Sequence, residues 1–313
     1  MRTEWGTFAL ILMCYAGWLI AGLVWATPFW LLGLLILAVL AAFHTSLQHE
    51  TIHGHPTRWP PLNEALVCLP LACIFPYRRY RDLHLQHHRD EHLTDPFEDP
   101  ESYFWSEADV RKMTDFQRHV FALNNTFVGR MVIGPLLTII GFARTETRRL
   151  ARNEPGVRLA WVLHLPGVAG VLAIVTLVFG MPLWVYAIFV VYPALSLTAM
   201  RAYAEHQAAE NVGARSAIVE AHPLLALLYL NNNLHIVHHA SPRTAWYDLP
   251  ALYADRRQQY LTANENTLFL GYRDIARRFA FSVKQPVGHP YIGRRSQGSQ
   301  TVRYPHISKA ADD

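Results

Sequence analysis

Eight of the seventeen histidines stand in three tight clusters: His49 and His53 (HETIH), His84, His87 and His88 (HLQHH), and His235, His238 and His239 (HIVHH). On a helix, positions i, i+3 and i+4 share a face, so each cluster aims its imidazoles one way. Imidazole binds zinc, copper, iron and nickel well. Eight donors exceed the four that one tetrahedral zinc takes. The count therefore points to two metal ions close together, held almost wholly by nitrogen. A single HxxHH also fits a solvated helix face, but two of them with an HxxxH in one chain of 313 residues are hard to assign to chance. Spacing alone does not choose the metal.

Glu50 makes the first cluster HExxH. In zinc metalloproteases that pattern supplies two ligands one turn apart and a general base. An intramembrane protease would need one further ligand and would leave both HxxHH clusters without a task. With two metals, Glu50 is expected instead beside a ligand imidazole, fixing its tautomer.

The elements that carry the clusters follow from charge. Only 17% of the residues are charged and 51% are hydrophobic, against about 25% charged in soluble domains. No Asp, Glu, Lys or Arg occurs from Phe8 through Gln48, or from Leu159 through Met200. Each block holds two bilayer spans of about 20 residues and a turn. The turns fall at Thr27-Pro28 and Gly180-Met181-Pro182. The spacing predicts spans over about 8–26, 28–48, 159–179 and 182–200. A charge at a helix centre costs about 2.5–3.5 kcal/mol in a bilayer, so its absence over both blocks fits selection by lipid. One such helix could hide in a soluble core; two hairpins in 313 residues could not.

Nearly all of the 28 Lys and Arg lie between the hairpins or after the second. The positive-inside rule then puts both termini and the middle segment in the cytoplasm, and all three histidine clusters with them. The expected fold is an all-α integral membrane protein, with four transmembrane helices in two hairpins and a cytoplasmic helical cap carrying the clusters. Residues 1–284 are expected to form this domain, and 285–313 a flexible polar tail without apolar periodicity. The start MRTEWG lacks the basic n-region and cleavage site of a signal peptide. Cys14, Cys68 and Cys73 show no CxxC or zinc-finger spacing and read as buried hydrophobes in a reducing compartment. The net charge of +4 suits anionic headgroups or an acidic redox partner; no nucleic-acid module is present.

Between the clusters, the apolar run 62–76 is too short to span and is expected to be interfacial or re-entrant. Tyr77–Arg81 (YRRYR) reads as an interfacial anchor, with a substrate-headgroup site as the second reading. Residues 90–107 are acidic and read as a surface loop. Residues 116–143 suit helices lying on the membrane, and Arg144–Arg152 a surface-binding basic stretch.

HETIH, HLQHH and HIVHH, in that order around two membrane hairpins, resemble the histidine boxes of the membrane fatty acid desaturase and hydroxylase superfamily. The resemblance runs from about Phe8 to Leu252. Within it, NNLHIVHHASPRTAWYDLP (Asn232–Pro250) is similar to the third-box region of bacterial desaturases and carotenoid-modifying relatives. The resemblance implies two irons, dioxygen as co-substrate and an external electron donor of the ferredoxin, rubredoxin or cytochrome b5 type. It implies that His49 and His53, His84, His87 and His88, and His235, His238 and His239 are metal ligands. It also implies a ninth histidine after the last span, for which His206 is the best match; the other reading of His206 is a surface histidine beside Glu205. Some members place an asparagine near that ninth histidine to hold a metal-bound water. Position 202 is alanine here, and Asn231, Asn232 and Asn233 could substitute or could cap the third-box helix.

His44 and His55 flank the first box and are secondary candidates for the centre. His92, His119, His164, His222, His289 and His306 read as structural or solvated. Asp90, Asp95 and Asp248 could orient ligand rings or cap loops. The expected activity is oxygen-dependent desaturation of an acyl chain in a membrane lipid. A lipid or carotenoid hydroxylase or ketolase, and a desaturase of a small polar metabolite, remain open on the same scaffold. No HPGG-type haem motif is present, so no fused cytochrome b5 domain is expected. The short chain suggests a bacterial inner membrane.

Overall fold

A computed structural model of the chain describes residues 3–89 and 92–292. In chain order its helices are α1 (Trp5–Val24), α2 (Trp30–Ile52), α3 (Pro60–Leu66), α4 (Tyr77–His87), α5 (Glu107–Lys112), α6 (Asp115–Asn124), α7 (Phe127–Val132) and α8 (Gly134–Ala151). There follow α9 (Val157–Val178) and α10 (Leu183–Glu205), then α11 (Pro223–Leu228), α12 (His235–Ala240), α13 (Leu249–Ala263) and α14 (Tyr272–Phe279). The protein is all-α, and α1, α2, α9 and α10 are each long and apolar enough to cross a membrane. The chain divides into two compact units: residues 1–82 with 134–199, and residues 83–133 with 200–313.

The first unit holds the spans. Ile11, Cys14, Trp18 and Ala21 recur along one face of α1 and are buried, as are Leu37, Ala38, Ala41 and Ala42 of α2. Small residues let the two backbones approach: a Cβ on Gly33 would stand 3.0 Å from the Ala21 carbonyl oxygen. The opposite faces expose Leu12, Ile20, Leu23, Leu31 and Leu35. Such a continuous apolar surface is expected of a protein whose solvent there is lipid.

Two spans run past their predicted ends. The second continues to Ile52 through His49 and Glu50, and the fourth to Glu205 through Arg201. Charge ended the predicted spans, but it does not end a helix. Arg201 and Glu205 are one turn apart and pair at 2.9 Å.

The apolar run 62–76 forms α3 and then an irregular segment with Val67 and Leu71 fully buried. Away from water, irregular backbone must find partners inside the protein. Each of the four spans supplies one. Tyr15 Oη donates to the Leu69 carbonyl at 3.2 Å, and Gln48 Nε2 to Val67 at 3.4 Å. His164 Nε2 lies 3.3 Å from the Cys73 carbonyl, and Tyr186 Oη donates to Leu71 at 2.7 Å. Trp18 Nε1 in turn donates to Tyr186 Oη at 3.1 Å. Gly167 is needed where α9 crosses this segment, because a Cβ there would stand 2.6 Å from the Cys68 carbonyl oxygen.

The YRRYR arginines are tied up by acids. Arg78 bonds Glu64 at 2.7 Å, and Arg81 bonds Asp82 at 2.8 Å. Arg79 makes a buried two-pronged pair with Glu146 of α8 at 3.0–3.1 Å. Trp161 Nε1 also donates to Glu146, at 3.0 Å.

The second unit is mainly helical and includes a short parallel pairing of Ile218–Val219 with Leu268–Phe269. Its apolar core joins Ile218, Leu234, Ile236, Val237, Leu249, Tyr253, Tyr260 and Leu261. This core seats α12, whose apolar Ile236 and Val237 face inward between the histidines. Gln285, Pro286, Val287, His289, Tyr291 and Ile292, at the start of the expected polar tail, take part in hydrogen bonds within this unit. The remainder of that expected tail, 293–313, lies outside the described residues.

Candidate metal centre

Helix period sets the first feature of the site. His84 and His87 lie on the last turn of α4 with His88 just beyond it, and His235, His238 and His239 lie along α12. His206 follows the last residue of α10. These seven histidines all belong to the second unit. Six of them are buried and His88 is partly so.

Their ring nitrogens form two groups. In one, His88 Nε2 stands 3.0 Å from His84 Nε2 and 3.0 Å from His238 Nε2. In the other, His206 Nε2 stands 2.9 Å from His87 Nε2 and 2.8 Å from His235 Nε2, and His239 Nε2 lies 3.1 Å from His235 Nε2. The groups are neighbours: the His88 and His239 rings stack at 4.4 Å.

The outer nitrogens fix the tautomers. His87 Nδ1 faces Asp99 Oδ1 at 2.9 Å, and His84 Nδ1 faces Glu101 Oε1 at 2.9 Å. His206 Nδ1 donates to the Arg215 carbonyl at 3.1 Å. His235 Nδ1 lies 3.4 Å from Glu205 Oε1, which Asn232 Nδ2 also holds at 2.7 Å. With Nδ1 carrying the hydrogen, Nε2 presents a lone pair. Burial holds His206 down to about 3, and His235 and His239 well below the usual histidine value. His84 is lowered as well, because burial outweighs Glu101. His87 goes up: burial opposes it, but the carboxylates of Glu101 and Asp99 carry it to about 9.

Lone pairs aimed at one another at such distances repel unless something positive lies between them. A proton on His87 can bridge to His206. It cannot also satisfy the contacts of His235 with His206 and His239. One cation accepting all four lone pairs satisfies every contact. Two nitrogens at about 2.1 Å from one ion and at right angles lie about 3.0 Å apart. The donor set therefore fits a metal, and nitrogen-only donors suit iron, copper, zinc or nickel rather than calcium or magnesium.

His49 and His53 stand in the first unit at the end of α2, with ring centroids 4.9 Å apart. Also in that unit, His44 Nε2 bonds Tyr15 Oη at 2.8 Å. His55 Nδ1 pairs with Glu4 at 2.6 Å, and His55 Nε2 lies 3.8 Å from Glu50. Glu50 is thus drawn to a histidine outside the three boxes.

Several sequence expectations resolve differently. None of the three asparagines caps α12, whose N-cap is Leu234 without a side-chain bond. Asn231 donates to the Trp246 carbonyl, Asn232 to Glu205 and Asn233 to the Val219 carbonyl. Asp95 accepts from the Phe97 backbone N–H, so it closes a turn. Asp248 precedes α13, and Asp90 lies outside the described residues. The carboxylates that face the rings are Asp99, Glu101 and Glu205. The first two come from FEDPESY in the acidic loop. A carboxylate-rich loop after a histidine cluster was the available signal.

Buried, nitrogen-lined groups that could hold a metal, on a helical protein with four helices long and apolar enough to cross a membrane, are the features of a membrane metalloprotein. The fatty acid desaturase family model matches residues 25–268, a stretch that contains every histidine of the three boxes and His206. The chain belongs to that family and is a membrane oxidoreductase of the desaturase and hydroxylase type, acting on lipid or acyl substrates. No curated protein matches the chain.

Proposed function

We propose that the protein is an oxygen-dependent desaturase that introduces a C=C bond into an acyl chain at a pair of irons. The observation that carries this reading is the convergence of seven imidazoles, of which His84, His87 and His206 are hydrogen-bonded at Nδ1. Four come from His87, His206, His235 and His239, and three from His84, His88 and His238. His49 and His53 are further ligands, a role that the family match through HETIH supports.

The substrate gives up two hydrogens from adjacent carbons. Dioxygen takes these with two electrons and two protons and leaves as two waters. When bound, the irons supply the oxygen activation. The protein's part is to present Nε2 lone pairs, to hold His84, His87 and His206 by their Nδ1 hydrogens and to keep water out. The electrons come from a separate ferredoxin, rubredoxin or cytochrome b5-type donor. An apolar substrate is supported by a cavity of about 440 Å³ in the first unit, lined by Ile74, Ile139, Ala187, Ile188, Val191, Tyr192 and Leu195. The distribution of Lys and Arg supports a cytoplasmic centre, and a bacterial inner membrane is the proposed location.

Expression in a host followed by lipid mass spectrometry tests the reaction. An acyl chain lighter by two hydrogens supports desaturation; one heavier by an oxygen selects the hydroxylase or ketolase reading. Metal analysis should give about two irons per chain, whereas one zinc per chain would favour the HExxH protease. His87→Ala and His238→Ala should abolish the product and lower the iron content. Full activity in either would defeat the assignment.

A further inference from the structure

The segment after α14 is pinned at five places. Lys284 N donates to the Asn125 carbonyl at 2.9 Å. Lys284 Nζ donates to the carbonyls of Tyr203 at 2.7 Å and His206 at 3.0 Å. Those carbonyls lie at the open C-terminal end of α10, where a cation and a donor are both favoured. Asn125 Nδ2 donates to the carbonyls of Gln285 and Pro286, and Gln285 Oε1 accepts the Ala208 N–H. Trp105 N donates to Val287 O at 2.9 Å, and His289 N donates to Trp105 O at 3.0 Å.

The strap ends on His289, which is 1% exposed. Its Nδ1 accepts the N–H groups of Tyr291 and Ile292, so Nε2 carries the hydrogen and donates to Thr94 Oγ1 at 3.0 Å. Thr94 has φ of 64°. That conformation is strained for a β-branched residue and persists only where its surroundings demand it. Here every polar atom of Thr94 is engaged. Its N–H donates to Asp99 Oδ2 at 2.8 Å, its carbonyl accepts Ser102 Oγ at 2.8 Å, and its hydroxyl meets His289. Asp99 Oδ1 is the atom that holds His87 Nδ1.

One end of the strap therefore holds the main chain of His206, and the other holds His87 through Thr94 and Asp99. His87 and His206 face each other in the four-histidine group. We propose that Lys284 and His289 are positioning residues for that group alone, setting its metal affinity without touching a ligand ring. This rests on the metal-centre reading above. The path reaches Glu101, whose carboxylate stands behind His84, at its main-chain N–H, which Asp99 Oδ1 accepts at 2.9 Å.

The test is a cobalt(II) titration of the full chain, stripped of metal in detergent and followed by its visible absorption. The wild type should take two equivalents. Lys284→Met and His289→Ala should each weaken one of the two by about 10–100-fold and leave the other unchanged. Lys284→Arg and His289→Gln, which keep a donor, should restore it. Thr94→Val removes one hydroxyl from the path at equal volume, keeps the β-branch, and should behave like His289→Ala even if the larger changes reduce folding. Helicity by circular dichroism should be unchanged in Thr94→Val. A wild type that binds no cobalt would sink the metal-centre reading itself. A wild type that binds two, with a Thr94→Val that titrates identically, would sink the strap alone. Equal loss of both equivalents in the variants would also overturn it, because a general loss of structure does not choose between groups.

Discussion

Asp99→Asn is the sharpest single perturbation of the centre. Asp99 accepts three N–H groups: His87 Nδ1 at 2.9 Å and Glu101 N at 2.9 Å on Oδ1, and Thr94 N at 2.8 Å on Oδ2. Asparagine offers one carbonyl oxygen and an NH₂ in nearly the same volume. With its oxygen toward His87, the NH₂ meets the Thr94 N–H. Turned over, the NH₂ meets the His87 Nδ1 hydrogen and drives that hydrogen to Nε2, where the metal should bind. Either orientation leaves two donors face to face. Loss of a partner behind a ligating histidine typically costs 10–100-fold in metal affinity, which is about 1.4–2.7 kcal/mol. Competition with a graded chelator, read as metal retained per chain, measures this directly. The loss should fall on the group containing His87, while Glu101→Gln should weaken the group containing His84. Wild-type chelator resistance in Asp99→Asn, or the same subsite lost in both variants, would refute the account.

Two further outcomes follow from the spanning unit. Glu146→Gln leaves the buried Arg79 guanidinium without its carboxylate and should destabilise the protein by about 3–5 kcal/mol, whereas Arg79→Met combined with Glu146→Leu should recover most of that. Thermal unfolding in detergent measures both, and a double variant no better than the single one would contradict the pairing. Tyr186→Phe removes the acceptor of Trp18 Nε1 and the donor to Leu71 O. Each orphaned group costs about 1–3 kcal/mol, so the unfolding midpoint should drop clearly; an unchanged midpoint would show that those bonds contribute nothing.

What could be read from the chain was what repeats. The bilayer imposes long charge-free blocks, so four spans could be placed within a few residues. Their ends were misplaced only where Arg201 and Glu205 satisfy each other on the helix, or where α2 carries His49 and Glu50 beyond the last apolar turn. The common aim of His84, His87 and His88, and of His235, His238 and His239, is a consequence of the 3.6-residue period. His206 has no such neighbour and stood out only through the family resemblance. Asp99 and Glu101 escaped notice because a loop carboxylate has no period that points to a ring 12 or 17 residues earlier. The strap was not legible for a related reason. QPVGHP has no apolar pattern, and what holds it is mostly side chains bonding main-chain groups far off in sequence, such as Lys284 Nζ on Tyr203 O and Asn125 Nδ2 on Gln285 O, a pairing with no period to read.

The irregular segment after α3 also carries a consequence for biosynthesis. Two of its four side-chain partners, Tyr15 and Gln48, are made before it, and two, His164 and Tyr186, about a hundred residues later. At roughly 5–20 residues per second the ribosome takes on the order of ten seconds to deliver them. Through that interval the carbonyls of Leu71 and Cys73 lack the partners they have in the finished protein. The first hairpin is therefore an unfinished product, open to water or to an insertion factor at this loop, until the second hairpin closes over it.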